Sequence, residues 1–445
     1  MKEIIYSNAD IITLDEKKPF YKNSCILIIN GKFKKIGSLD ALKKISPRSK
    51  IIDLKGKLIM PGLINVHGHL YSSLARGMPV KGSSTNFPQI LENICWKLDK
   101  VLNTEEVYYS AIAGLIEGAR CGVTTLIDHH ASPNAITGSL STMAKAAEKI
   151  GTRINLCYEV SDIDGEKKAF EGIMENINFG IKARKNKNEK LTSLFRLHAS
   201  FTISEKTLKR CEYENKNIDI PYHVHTAEDI SDLKDARKKY KSTVVERLEK
   251  AGILKKRSLA AHCIHITDSD IKILKRTGVY VAHNPESNMN NAVGYSDILK
   301  MMNNNITVGL GTDGYTHNIF QEMKALPLLH KFFHKRPEIF SFKNIYDVVF
   351  ENNSKIASDY FKTNLGKIKE GYNADFLVLD YIPPTPLNEN NFLGHIFFGM
   401  NTNNINSVLV DGEYIIKNRD FILFDEYKML NDCKKSAEKL WKKLK

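Results

Sequence analysis

The sequence predicts an α/β protein: a closed, TIM-like (β/α)8 barrel with a small β-sandwich formed by the N- and C-terminal segments. Three observations carry the prediction. Between Leu58 and about Tyr360, apolar runs, polar loops and stretches of helical spacing follow one another repeatedly. Continuously apolar runs that alternate with helices read as strands buried on both faces, in parallel βα units. Eight such runs occur, and eight units over roughly 300 residues suit a closed barrel better than an open sheet. At both ends of this region the rhythm is β-like instead, with short runs punctuated by turn residues.

Residues 1–57 contain EIIYSNADIITLD, SCILIIN, KFKKIGSL and KIIDL, with a turn pair at Asn30-Gly31 and a single helix expected around Ser38 to Lys44. That is too little chain for a comfortable core of its own. Residues 58–360 hold the barrel strands KLIMPGLINVHGH, VTTLIDHH, RINLCYEVS, LFRLHASF, IPYHVHTAE, SLAAHCIH, VYVAHNPES and ITVGLGTDG. Helical spacing falls between them at Thr104 to Arg120, Thr142 to Ile150, Ser242 to Ala251 and Asp268 to Arg276. In residues 361–425, LGKIKEGYNADFLVLD has a strand-turn-strand look and NSVLVDGEYIIKNRD reads as a hairpin across Asp411-Gly412. These would pack on residues 1–57 as the other part of the sandwich. The Asn-rich stretch from Asn388 to Asn404 reads as loop, and residues 426–445 as a terminal helix with a basic, solvated face.

Composition excludes several classes. No stretch of about 18 residues is continuously apolar, so no transmembrane helix and no membrane partner is expected. The opening MKEIIYSNAD has no apolar signal core, so secretion is not expected. Seven scattered cysteines without a CxxC pair read as reduced thiols of a cytoplasmic protein. The net charge of +14 is spread along the chain and lacks an aromatic-and-basic stacking motif, so nucleic acid is not an expected partner. Oligomeric state is left open, a homo-oligomer included.

The strongest functional signal is where the histidines fall. His67, His69, His129, His130, His198, His223, His225, His262, His265 and His283 lie at or just past the C-terminal ends of candidate strands, and His317 follows the eighth. That end of a barrel is where its loops converge on an active site. A lone histidine there is usually structural. A ring of them is not easily so, because each buried imidazole needs partners of its own. His67-Gly68-His69 puts two imidazoles on the same side of one strand. With His225 closing strand five and Asp313 closing strand eight, three neutral nitrogens and one carboxylate suit a zinc or iron ion.

Hydrolysis at such a site needs proton traffic. Glu228, three residues past His225, can take a proton from water and deliver it to a leaving nitrogen; the bland alternative is a carboxylate at a helix start. His262 can hydrogen-bond the attacking hydroxide or the developing oxyanion. The loop from Tyr71 to Leu98 is long enough to cover the pocket. In it, Arg76 is a candidate to meet a carboxylate or carbonyl of the substrate, while Trp96, with Leu91, Ile94 and Leu98 at helical spacing, is expected to pack in the core. His129 and His130 either line the pocket or brace the ligands, and His283 reads as bracing.

PGLINVHGHL, HVHTAED, AAHCIHIT, VAHNPESN, GLGTDG and the tail LGKIKEGYNADFLVLD together resemble the amidohydrolase superfamily, in its branch of cytosine and guanine deaminases and triazine chlorohydrolases. YSSLARGM, WKLDKVL, DHHASPNA and YEVSDIDG look more narrowly like the aminohydrolases of the SsnA type. The resemblance implies a mononuclear site, one divalent ion held by His67, His69, His225 and Asp313. It further implies Glu228 as proton shuttle, His262 as the residue orienting hydroxide, Asp313 as a second proton acceptor and His198 as a substrate-binding residue. Two-metal members usually carry a carbamylated lysine on strand four, and no lysine stands near that strand's end here. The implied activity is deamination of a purine- or pyrimidine-like ring by metal-bound hydroxide. Two alternatives stay open: hydrolysis of an exocyclic amide, amidine or halide at the same site, or a silent barrel used as a scaffold. The second should have lost ligands that are all present.

Overall fold

Residues 2–80, 82–186 and 188–444 are described by a computed structural model. The N-terminal strands are β1 (Glu3–Ile12), β2 (Phe20–Ile29), β3 (Lys32–Gly37), β4 (Lys50–Asp53) and β5 (Leu58–Pro61). Then come β6 (Leu63–Gly68), β7 (Val123–Asp128), β8 (Arg153–Leu156), β9 (Leu191–Ser193), β10 (Phe195–Ala199), β11 (Tyr222–Thr226), β12 (Leu259–His262), β13 (Tyr280–His283) and β14 (Val308–Leu310). The last strands are β15 (Phe376–Leu379), β16 (Ile405–Val410), β17 (Glu413–Lys417) and β18 (Asp420–Phe421).

The two chain ends share one nine-stranded sheet among the described residues, ordered β18-β17-β16-β15-β5-β1-β2-β3 with β4 beside β1. Strands β3 and β15 stand four places apart, which in a flat sheet is roughly 19 Å at about 4.8 Å per strand. Yet the rings of Phe33 and Phe376 are 5.9 Å apart. The sheet therefore curls over a core of Tyr6, Ile11, Phe33, Phe376 and Leu409, and the sandwich is a single folded sheet. Its other face gives Ile12, Met60, Leu377 and Val408 to the main core shared with the barrel. The run KLIMPGLINVHGH, read as one strand from sequence, is two: β5 belongs to the terminal sheet and β6 to the barrel. They part at Gly62, where a Cβ would come within 2.3 Å of the Thr124 side chain.

The barrel staves are β6, β7, β8 and β10 to β14, all parallel where they pair. Strand β9 is the first piece of the fourth stave, separated from β10 by Leu194, whose N–H donates to Leu156 O at 3.3 Å. The seam between last and first stave is closed by backbone N–H groups of Thr312 and Asp313, which donate to His67 O at 2.8 and 3.0 Å. Asn353 completes it: Nδ2 donates to Ile64 O and Leu310 O at 2.7 and 2.9 Å, and Oδ1 accepts from Leu310 N at 2.7 Å. An irregular seam leaves backbone groups that need such partners. The helix carrying Asn353 (Asn353–Phe361) packs Ile356, Ala357 and Tyr360 against Val66, Ile127, Leu194 and Leu259, plugging the N-terminal end of the cylinder. Only the C-terminal end is left for chemistry.

The expected helices form at Thr104–Arg120, Ser139–Ile150, Val244–Lys250 and Asp268–Thr277. Three open on capping boxes, Asn103 with Glu106, Thr243 with Glu246 and Thr267 with Asp270, which satisfy the free N–H groups of a first turn. The terminal helix Glu426–Lys442 lies on Thr104–Arg120, and its Trp441 Nε1 donates to Leu74 O at 2.8 Å. Barrel and sheet are tied by Arg153 of β8, fully buried. It donates to Asp411 Oδ1 at 2.6 Å, Asp375 Oδ2 at 3.3 Å and Glu189 O at 2.8 Å. Among the described residues no helix is long and apolar enough to cross a membrane.

Candidate active site

The C-terminal ends of the staves bring His67, His69, His225 and Asp313 to one focus. His67 Nε2 and His69 Nε2 lie 3.3 and 2.7 Å from the same atom, Asp313 Oδ1. Ligand atoms of His67, His225, His262 and Asp313 all fall within 4.8 Å of one another, and so do those of His67, His69, His129 and His225. Asp313 reaches the focus because its backbone turns into the left-handed region (φ 54°) directly after the seam bonds to His67 O. Such a conformation in a non-glycine residue costs energy and persists where surrounding bonds impose it.

The residues fit a cation. His225 Nε2 is buried without a hydrogen-bond partner among the described residues, and the buried His67 Nε2 meets only the Asp313 carboxylate, at 3.3 Å and out of line for a hydrogen bond, an expensive state unless something else fills it. The tautomers are prepared for it. His69 Nδ1 donates to His129 O at 2.5 Å, which leaves Nε2 bare, and His67 Nδ1 meets His223 Nε2 at 2.9 Å. Partners on the far nitrogen are how ligand histidines are oriented. Burial pushes His67 down to about 3 against the opposing pull of Asp313, and holds His225 and His129 well below the usual imidazole range. Burial alone would raise Asp313, but His69 and His67 outweigh it and keep the carboxyl well below its usual range. Neutral imidazoles and an ionised carboxylate are the states metal binding requires.

Glu228 and His262 face each other across this cluster, Glu228 Oε2 standing 3.6 Å from His262 Nε2. The helix-start alternative for Glu228 does not hold. The cap of helix Ile230–Tyr240 is Asp229, whose side chain accepts from Ser231 N, and Asp232 accepts from Ala227 N and Phe201 N. Glu228 is left buried, and burial followed by the charges of Asp313, Asp232 and Asp229 raises its carboxyl well above the usual range. His262 is aimed by Asn288, which takes its Nδ1–H at 2.8 Å and leaves Nε2 as a bare acceptor. Ser287 donates to Asp313 Oδ2 at 2.5 Å. Ser287 and Asn288 sit in the run VAHNPESN, but nothing in their spacing marks them. Their role comes from helix Pro285–Asn290, which turns both toward the focus.

A cavity of about 370 Å³ opens over the cluster, its lining including His69, Arg76, Trp96, Arg196, His198, His225, Glu228, Asp313 and His317. His198 is fixed through Nδ1 to Thr202 Oγ1 at 2.8 Å. Arg76 is exposed and paired with Glu117. Trp96 does two things: it packs on Phe87, Leu91 and Ile264, as expected, and its ring also stands 6.4 Å from that of His198 on the cavity wall. The loop from Tyr71 to Leu98 contains helical turns at Leu70–Ala75 and from Phe87 to Val101. Not every strand-end histidine belongs to the focus. His130 bonds Ser132 Oγ at 2.9 Å, His265 points to Val293 O at 2.8 Å, and His283 lies against His330. His129 does belong, its ring 4.2 Å from that of His225 and both its nitrogens without a partner among the described residues.

A (β/α)8 barrel plugged at one end, with a cation-fitting cluster and a buried carboxyl facing an imidazole at the other, defines the class of metal-assisted hydrolases. The Amidohydrolase family profile matches residues 58–415, and the chain belongs to that family. It is an enzyme, a hydrolase of carbon–nitrogen bonds other than peptide bonds. The chain is 32% identical over 417 residues to a 5-methylthioadenosine/S-adenosylhomocysteine deaminase of Thermococcus sibiricus, covering 93% of this chain and 94% of that one. It is 28% identical over 446 residues to a 5'-deoxyadenosine deaminase of Methanosarcina mazei, covering 99% of both. Among solved structures, an adenosine deaminase from Xanthomonas campestris with bound zinc superposes with a TM-score of 0.85 at 18% identity, covering 99% of this chain and 98% of that one. At that identity the likeness speaks for the fold.

Proposed function

We propose that this enzyme is a metal-dependent aminohydrolase that releases ammonia from a heterocyclic, purine- or pyrimidine-like substrate. One observation carries the reading: His67, His69, His225 and Asp313 converge beneath a cavity whose wall also presents an uncapped, buried Glu228 facing His262. The deaminase names of the relatives support an amino leaving group. His67, His69, His225 and Asp313 would hold one divalent ion, zinc in the first place and iron in the second, and that ion would lower the pKa of water toward neutrality. Glu228, kept protonated by burial, gives its proton to the ring nitrogen beside the amino-bearing carbon, making that carbon electrophilic. His262 Nε2 accepts a hydrogen bond from the attacking water and orients it, while Asp313 accepts its proton. Return of a proton to the amino group lets it depart as ammonia. His198 holds the ring, and Arg76 meets polar groups of the substrate at the cavity mouth. We further infer a reducing compartment, the cytoplasm, from seven cysteines that are all free.

The test is a panel of aminated heterocycles with ammonia detection, joined to metal analysis of the purified protein. Glu228→Gln should keep its metal and lose about 10²–10⁴-fold in turnover. Near-native turnover would remove Glu228 from the mechanism, and a protein that neither holds nor responds to zinc or iron would overturn the reading.

A further inference from the structure

Helix Ile319–His334, which follows the eighth stave, is apolar on two opposite faces. Its inner face buries Ile319, Met323, Leu326 and His330 against the barrel. Ala325, Leu328, Leu329 and Phe332 recur at i, i+3, i+4 and i+7, which places them on one stripe, and that stripe points away from the core. Leu328 is 62% exposed and Phe332 86%, and close by Phe333, Phe342 and Phe398 are 55%, 41% and 75% exposed. The three segments are neighbours. The helix packs against Phe342–Tyr346 and His395–Gly399, and the ring of Phe342 lies 6.0 Å from those of Phe397 and Phe398. Phe333 is held ready by stacking on Tyr295, with ring centroids 3.9 Å apart. A surface helix normally turns a polar face to water, and one that is apolar all round is a buried helix. This one is buried on its inner side alone.

Area and charge say what covers the outer side. At about 200 Å² for a whole phenylalanine, the five side chains together expose roughly 600 Å². That is the upper limit of apolar patches on proteins that stay monomeric, and most of the about 800 Å² that each partner gives to a standard interface. The chain carries a net charge of +14, so two copies repel unless they meet through uncharged surface, and none of the five residues is charged. An acidic partner would be drawn to the lysine-bearing faces instead. Lys324 and Lys331 border the stripe, where they would stay in water as the polar rim of a contact. An apolar stripe of helical spacing can pair with its own copy about a two-fold axis, the self-complementarity that an isologous interface needs. We propose that the protein is a two-fold dimer, joined through the outer face of helix Ile319–His334 and the adjoining edge of Phe342 and Phe398. The occupant of the patch is a second copy of this chain.

Sedimentation velocity of the full-length protein over a range of micromolar concentrations tests it. The main species should have twice the 50.5 kDa of the chain. Phe332→Glu sets a charge in the contact and should raise the Kd of the dimer at least about 30-fold, the scale of losing a central aromatic anchor. Phe398→Ser, on a separate segment, should weaken the dimer as well. Both side chains are exposed in the single chain, so melting curves show whether each variant keeps its fold, and either one carries the test if the other does not. Tyr213→Glu, 69% exposed on helix Glu205–Asn215, is the control and should leave the Kd unchanged. A wild type that stays monomeric throughout overturns the proposal. A dimer that survives both Phe332→Glu and Phe398→Ser, or one that Tyr213→Glu weakens equally, places the contact elsewhere and overturns it too. A monomer that floats with phosphatidylcholine vesicles, and no longer does so as Phe332→Glu, would give the patch to a lipid surface and likewise end the proposal. None of these outcomes bears on the aminohydrolase reading.

Discussion

Ser287 offers the sharpest test of how the carboxylate of the cluster is held. Its Oγ donates to Asp313 Oδ2 at 2.5 Å, with Ser287 3% and Asp313 8% exposed, so water cannot easily replace it. A hydrogen bond to a charged group contributes about 1.5–3 kcal/mol. At about 1.36 kcal/mol per tenfold in rate, Ser287→Ala should lower kcat/KM for ammonia release by roughly 10- to 150-fold if the bond is fully used in the transition state. The missing bond also leaves Asp313 a stronger base and freer to rotate away from His67 and His69. The assay is kcat/KM on the best substrate, measured beside metal content and melting temperature. A drop in activity with full metal places the bond in proton transfer, and a parallel loss of metal places it in holding the cation. A change below threefold with metal and stability intact would show that Asp313 is oriented by the histidines alone and that the argument from this contact fails.

Other consequences can be checked directly. Replacing Arg153 by Met leaves the buried Asp375 without its cation, while the half-buried Asp411 keeps Lys190, and should reduce unfolding free energy by about 3–5 kcal/mol, read by denaturant melts. Gly311→Ala places a Cβ 2.6 Å from Asn284 Oδ1, 2.7 Å from His67 Cβ and 2.9 Å from His67 N, so the strand bearing the first ligands must shift. Mass spectrometry of the purified variant should find it metal-poor, and a normal metal content would refute that. Chelation should lower the melting temperature, since a ligand present at 1,000 times its Kd adds about 4 kcal/mol to the folded state, and added zinc should restore it. An unchanged melt after chelation would mean that the cluster holds no metal.

What the sequence made legible is what a local pattern encodes. A histidine at the end of an apolar run announces a barrel mouth whatever the distant partners are, and so His67, His69, His225 and Asp313 were readable before any contact was known. Helix Thr104–Arg120 was readable because its cap and apolar stripe lie within its own residues. The division of KLIMPGLINVHGH was not. Both halves are buried on both faces, so the periodicity runs unbroken through Gly62, and only the distant Thr124 requires glycine there. The first half of LGKIKEGYNADFLVLD fails as a strand for a similar reason. Ile368 N and Gly371 N find partners in Thr13 O and Phe33 O one at a time, without a ladder, and only Phe376–Leu379 is paired along its length. The Asn-rich stretch likewise holds short helical segments at Phe392–Gly394, His395–Gly399 and Thr402–Asn404, closed by packing of Phe392 and Ile396 that composition does not reveal. Arg196 is the most instructive omission. A strand residue with an apolar neighbour on either side reads as solvent-facing in an alternating pattern, and inside a barrel the same alternation points it at the cavity.

The two halves of the site follow opposite electrostatic rules, and their arrangement makes one chemistry favourable. At the cluster, burial strips protons from the imidazoles while Asp313 stays ionised, leaving one negative charge and bare nitrogens where a cation is favoured. A few ångströms away, burial acts on Glu228 with no cationic partner among its neighbours, and the carboxyl keeps its proton instead. Identical carboxyl groups are thus pushed in opposite directions because one faces imidazoles and the other faces Asp313, Asp232 and Asp229.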